Sequence, residues 1–184
     1  MEGLSKESVE AHLGLYVGYV KNFNAMSALL SEYAKDAEKN AHALSELIRR
    51  RSFEFGGMRL HELYFAQWEG GSAPLTEGGA LKKQLEAEYH KLEYFLAMFH
   101  AIAMMRGPGW ALLYWDPLAK QFLTGFSEQQ HQGHFVTLPV ILALDVWEHA
   151  YLLDYGTQGK ANYIDAFFKN LNWAVVEERF AAAQ

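Results

Sequence analysis

The sequence has no cysteine. Disulfides, thiolate metal sites and cysteine nucleophiles are excluded together, and the composition suits a reducing compartment. Long hydrophobic runs are missing as well. No apolar stretch is long enough to span a bilayer, and none has the pattern of a secretory signal. Basic residues are outnumbered: 16 Lys and Arg stand against 22 Asp and Glu, for a formal net charge of −6. A general nucleic-acid binder or a membrane-surface protein is therefore not expected, and the expected location is the cytoplasm. What is present is apolar bulk. Of 184 residues, 51% are hydrophobic and 15% aromatic, enough to bury a substantial core in one large domain or two small ones sharing an interface. Without thiolates, any metal must be held by His, Asp and Glu, which favours manganese, iron or zinc over copper(I) or an iron–sulfur cluster.

The chain reads as helical up to about Arg51. Ser5 is an N-cap candidate, and Val9, Leu13, Tyr16, Val20 and Phe23 recur at helical spacing behind it. Asn22-Phe23-Asn24 is a point of bending or interruption. A second stripe runs from Ala25 through Leu29, Leu30, Tyr33, Leu44, Leu47 and Ile48. Gly56-Gly57 is expected to break the pattern, with a short helix from Met58 to Trp68. Two long helices meeting there predict an antiparallel hairpin. The Gly-, Ser- and Pro-rich stretch from Glu69 to Gly79 reads as the linker. Helices follow from Leu81 to Met105, then three short aromatic segments (Trp110–Trp115, Phe122–Ser127, Leu138–Leu144) suited to strands. Helices again close the chain: Trp147–Tyr155, Asn162–Leu171 and Val175–Ala182. The expected fold is α+β: an N-terminal α-helical hairpin domain, residues 1–73, then an α+β domain, residues 74–184, with a three-stranded antiparallel sheet.

The third strand candidate ends abruptly in Asp145, and His149 follows four positions later. A carboxylate at the end of a buried strand costs several kcal/mol unless a cation or strong donors receive it. Two readings stand at this point. Either Asp145 caps the next helix and His149 is an interior histidine, or the pair supplies an oxygen and an imidazole to a metal. His12 lies on the first helix near Tyr16 and Tyr19, and His61 sits among Leu60, Leu63, Tyr64 and Phe65; each alone reads as a core histidine before it reads as a ligand. His42, His90 and His100 read as surface or packing residues.

Longer motifs go further. Asp145-Val-Trp-Glu-His-Ala-Tyr151, with Asp154-Tyr155 and the run from Tyr163 to Trp173 behind it, resembles the C-terminal signature of the iron/manganese superoxide dismutases. Phe53-Glu-Phe-Gly-Gly-Met-Arg-Leu-His61 is similar to the family's segment around its second histidine ligand. Gly107-Pro-Gly-Trp110 resembles its Gly-x-Gly-Trp, and His12 to Asn24 its first helix. The match runs in order from about residue 9 to 180.

The resemblance implies metal ligands His12, His61, Asp145 and His149, with a water or hydroxide as a fifth. It implies one manganese or iron ion per subunit, alternating between M³⁺ and M²⁺ as superoxide becomes O₂ and H₂O₂. Zinc has no second oxidation state for this chemistry. Tyr19 matches the gateway tyrosine. The side chain that bonds the solvent ligand falls at Gln130 or, with a one-residue shift, His131, because Gly57 occupies the family's other position for it. A Gly57/Gln130 pairing resembles the manganese type, whereas Ala143 matches neither metal's usual residue. Trp110 and Trp147 are expected to wall the site, with Tyr64 beside it. Glu148 implies a homodimer, reaching the partner's ligand histidine. The family's cross-subunit histidine–tyrosine gate falls on Tyr16 and Leu152, so it is missing. Lys21 and Lys160 are candidates for a positive rim that steers the anion. A non-haem iron oxygenase using two histidines and a carboxylate, or a non-catalytic metal-binding paralogue, are the alternatives.

Overall fold

The computed structural model describes all 184 residues. Helix α1 spans Lys6–Tyr33, and the Ser5 hydroxyl accepts the Ser8 amide at 3.1 Å to cap its start. It continues through Asn22-Phe23-Asn24 without interruption. The reversal comes later, at a 3₁₀ turn over Ala34–Asp36 and the residues up to Asn40. Helix α2 then runs Ala41–Ala66 and carries Gly56-Gly57 in its interior. The expected break at the glycine pair is thus corrected: the hairpin turns some twenty residues earlier. A glycine inside a helix costs roughly 0.5–1 kcal/mol relative to alanine, and α2 stays helical through the pair despite it.

The Glu69–Gly79 linker is tied down rather than loose. The Ala73 amide donates to the Leu171 carbonyl, the Trp173 amide to the Ala73 carbonyl, and Thr76 bonds the Glu177 carboxylate. Helices α3 (Ala80–Tyr89) and α4 (Leu92–Ala103) follow. Strands β1 (Gly109–Asp116), β2 (Gln121–Glu128) and β3 (Val140–Asp145) form the antiparallel sheet in the order β2-β1-β3. Every residue of β1 but the last is buried, as befits a central strand. The register sets Trp110 opposite Asp145, so the aromatic wall and the carboxylate share a face. The helix expected over Trp147–Tyr155 is a 3₁₀ turn, Glu148–Ala150, followed by the single turn α5, Leu152–Tyr155. Helices α6 (Lys160–Asn170) and α7 (Trp173–Ala183) close the chain. Phe95, Phe99, Leu112, Leu142, Phe167 and Phe180 lie at the heart of the core.

Candidate metal centre

Histidines from three elements converge on one carboxylate oxygen of a fourth. His12 comes from α1, His61 from α2, Asp145 from the last position of β3, and His149 from the 3₁₀ turn behind it. Their Nε2 atoms lie 3.0, 3.6 and 3.2 Å from Asp145 Oδ2 in that order of histidines. All four ligand atoms fall within 4.8 Å of one another. His12, His61 and Asp145 are buried and His149 half-buried. The other carboxylate oxygen, Oδ1, accepts the Trp147 amide at 2.9 Å. Asp145 therefore does not cap a helix as one reading expected: one oxygen holds the Trp147 amide at the entry to the 3₁₀ turn and the other faces the three histidines.

The donor set fits a cation. His61 Nδ1–H donates to the Gly57 carbonyl at 2.6 Å, which fixes the tautomer and leaves Nε2 as a bare lone pair. That nitrogen is buried without a hydrogen-bond partner and faces an anionic oxygen. Two electron pairs aimed at each other in a dry site repel unless positive charge lies between them. Burial holds His61 down at about 4, so it is a neutral imidazole at physiological pH. Burial alone would raise the Asp145 carboxyl, but the imidazoles of His149 and His12 outweigh it and keep the group well below the usual carboxylate range.

Around this cluster the aromatic side chains are fixed by named bonds. Tyr163 donates to the Asp145 backbone carbonyl at 2.7 Å, so the Tyr64 hydroxyl, 2.8 Å away, must donate to Tyr163. The Tyr64 and Phe65 rings pack against His12 at 5.1 and 5.0 Å. Trp110 meets His61 edge-on at 5.1 Å, and Trp147 stacks on His149 at 5.7 Å. The expected wall of Trp110, Trp147 and Tyr64 is in place. Tyr163 was legible only as part of a motif; its bond to the Asp145 backbone has no local signature.

Gln130 and His131 diverge. Gln130 is buried, its Oε1 accepts the Trp110 indole N–H at 2.7 Å, and its Nε2 donates to the Tyr19 hydroxyl at 2.9 Å. The indole can only donate, so the amide orientation follows from chemistry. His131 instead packs edge-on against Phe53 at 5.6 Å and lines an outer cleft with Arg59 and His134. Burial, followed by the charge of Asp145, pushes the Tyr19 phenol up to about 12. Gly56 and Gly57 explain how Tyr19 and Gln130 approach α2. A Cβ on Gly56 would collide with the Gln130 backbone carbonyl, and one on Gly57 with the Tyr19 ring. The glycine pair is a notch in an intact helix.

Tyr16 donates to the Glu62 carboxylate at 3.3 Å, and Leu152 is exposed. Glu148 is exposed in the single chain. Lys21 is exposed, whereas Lys160 is half-buried and donates to the Met105 carbonyl at 2.8 Å. Arg50 stacks over the Phe53 ring at 3.6 Å, beside Tyr19. His42, His90 and His100 stand apart from the cluster.

Residues 77–179 match the family model for the C-terminal domain of iron/manganese superoxide dismutases. The chain is 34% identical to the iron superoxide dismutase of Aquifex pyrophilus, over all of this chain and 87% of that protein. It is 31% identical to the iron enzyme of Saccharolobus solfataricus, over 96% of this chain and 85% of the relative. It is 32% identical to the manganese superoxide dismutase of Mycobacterium avium, over 94% and 82%. With a buried three-histidine, one-aspartate cluster that fits manganese or iron, this chain belongs to the iron/manganese superoxide dismutase family.

Proposed function

We propose that the protein dismutates superoxide, converting two superoxide anions and two protons into O₂ and H₂O₂, with His12, His61, Asp145 and His149 holding one manganese or iron ion. The carrying observation is the bare His61 Nε2 facing Asp145 Oδ2 in a buried site, alongside two further imidazoles. The bound ion supplies the one-electron couple, alternating between M³⁺ and M²⁺. Everything else falls to the protein. Three neutral imidazoles and one carboxylate leave a trivalent ion net positive, which draws an anion inward. Tyr19 stays protonated over the working range. Because Gln130 already donates to its oxygen, the phenol proton remains free to point towards the site. Gln130, rather than His131, is the amide that orients this donor, held in turn by Trp110. Trp147 and Tyr64 restrict water. Arg50, stacked on Phe53 beside Tyr19, and Lys160, which feels the charge of Asp145, are cations available to this route.

The two-domain division at residues 73/74 belongs to the same reading: each unit supplies two of the four ligands. So does a homodimer. Glu148 is exposed next to exposed Leu152 and Leu153, a surface suited to a second copy with Glu148 reaching a ligand histidine. No helix is long and apolar enough to cross a membrane; a cytoplasmic location fits the cysteine-free composition.

The test is to isolate the protein without added metal, measure its metal by elemental analysis, and assay superoxide turnover after reloading with manganese, iron or zinc. Activity with manganese or iron and none with zinc is expected. Metal-loaded protein without turnover would instead favour a non-catalytic paralogue.

A further inference from the structure

The free edge of β3 is closed by a side chain. In the order β2-β1-β3, β3 has a strand on one side only. On its other side Gln67 is fully buried, its Nε2 donates to the Ala143 carbonyl at 2.8 Å, and its Oε1 accepts the Ala143 amide at 2.8 Å. A primary amide offers one donor and one acceptor side by side, as a residue of a neighbouring strand would. Arg179 of α7 completes the arrangement. Its Nη1 donates to Gln67 Oε1 at 2.9 Å and its Nη2 to the Leu63 carbonyl at 2.7 Å. Leu63 carries one of the last four carbonyls of α2, which lack a partner within the helix. Arginine cannot accept, so the oxygen of the Gln67 amide must face it, and the orientation of the whole network is determined.

Placement gives this network its meaning. Gln67 lies six residues after His61 at the end of α2, and Ala143 two residues before Asp145 on β3. We infer that Gln67, locked by Arg179, is a positioning residue for the metal centre: it clamps α2 to β3 and so sets the distance between His61 and Asp145. This rests on the metal-site reading above. A bridge between a helix end and a strand edge would stabilise the fold wherever it lay; here it joins the two segments that carry His61 and Asp145, both buried and from different halves of the chain. Burial lowers Arg179 to about 10, so the guanidinium stays charged at neutral pH and does not release the amide.

The experiment follows metal release from manganese-loaded protein into excess chelator, together with thermal unfolding. Gln67→Leu keeps the bulk and removes both bonds to Ala143; release at least about tenfold faster is expected, in line with losing a group that orients a ligand. Phe180→Leu, a core change on α7 remote from the ligands, should lower the unfolding temperature without that acceleration. Gln67→Glu keeps the acceptor towards Ala143 N–H and Arg179 but loses the donor, and should fall between wild type and Gln67→Leu; it also serves if the leucine variant does not fold. Equal acceleration by Phe180→Leu, or wild-type release rates in both Gln67 variants, would overturn the clamp. Wild-type protein that holds neither manganese nor iron would overturn the metal-site reading, and the clamp with it.

Discussion

The helical hairpin and the sheet half each supply two of the four clustered side chains, yet they are built on opposite terms. Asp145 closes a strand whose last five residues are all buried, behind a central strand that is buried almost throughout. In α1, by contrast, the only buried residues are Ser8 and His12. Before residue 74 the buried apolar side chains are Leu4, Phe53, Met58, Leu60 and Tyr64, while Leu13, Leu15, Val17, Leu29, Ile48 and Phe55 are exposed. The sheet half holds Asp145 by core packing; the hairpin holds His12 mainly by what His12 itself touches. A metal shared between them is then a cross-link from a weakly packed element to a rigid one.

The largest expected effect breaks that cross-link. Asp145→Ala should abolish metal retention, measured by elemental analysis, and His61→Ala should do the same, whereas His42→Ala should retain wild-type content. Full occupancy in Asp145→Ala would refute the ligand assignment. Next, stripping the metal should speed amide exchange in α1 and the second half of α2 far more than in β1 and β3. Uniform acceleration across both halves would mean the hairpin is as well anchored as the sheet.

Smaller effects probe the notch where the two halves meet. Gly56→Ala drives a methyl into the Gln130 carbonyl, so about 1–3 kcal/mol of stability should go, and turnover should fall by roughly ten- to a hundredfold as Gln130 shifts. Gly14, on the exposed part of α1, meets nothing within 4 Å of an added Cβ; Gly14→Ala should stabilise by about 0.5–1 kcal/mol. Equal outcomes at the two glycines would dissolve the distinction. The smallest effect concerns pH. In metal-free protein the Tyr19 phenol is raised to about 12 from the ordinary 10.0. A group raised on folding adds stability that is complete below the unfolded value and lost as pH climbs through the folded one. Stability should therefore decline between about pH 10 and 12, and Tyr19→Phe should remove that part of the decline along with one tyrosinate absorbance step at the upper end of that range.

Much of this was written locally. The apolar run from Leu138 ending at Asp145, the Ser5 cap, the paired helices after Leu81 and the three aromatic strands are short-range patterns that hydrophobic periodicity reports directly. The four side chains that cluster were readable too, because Asp145 and His149 share one motif and His12 and His61 lie in segments resembling those of relatives. Local pattern failed at Gly56-Gly57. Glycine is a statistical helix breaker, but here its missing Cβ is used sideways, by Tyr19 and Gln130, and only residues distant in sequence reveal that use.

By itself, then, the sequence determined the type of most segments (though not where α1 turns back into α2, nor the 3₁₀ turn after Trp147), which atoms could bind a metal and which chemistries are excluded, since these depend on side-chain type and on neighbours within a turn or two. Only the tertiary structure decided that Gln130 rather than His131 reaches Tyr19, that Asp145 divides its two oxygens between Trp147 and the histidines, and that Gln67 closes the edge of β3. Each of those depends on distances of about 3 Å between groups far apart along the chain, and such distances are fixed only when the whole core has packed.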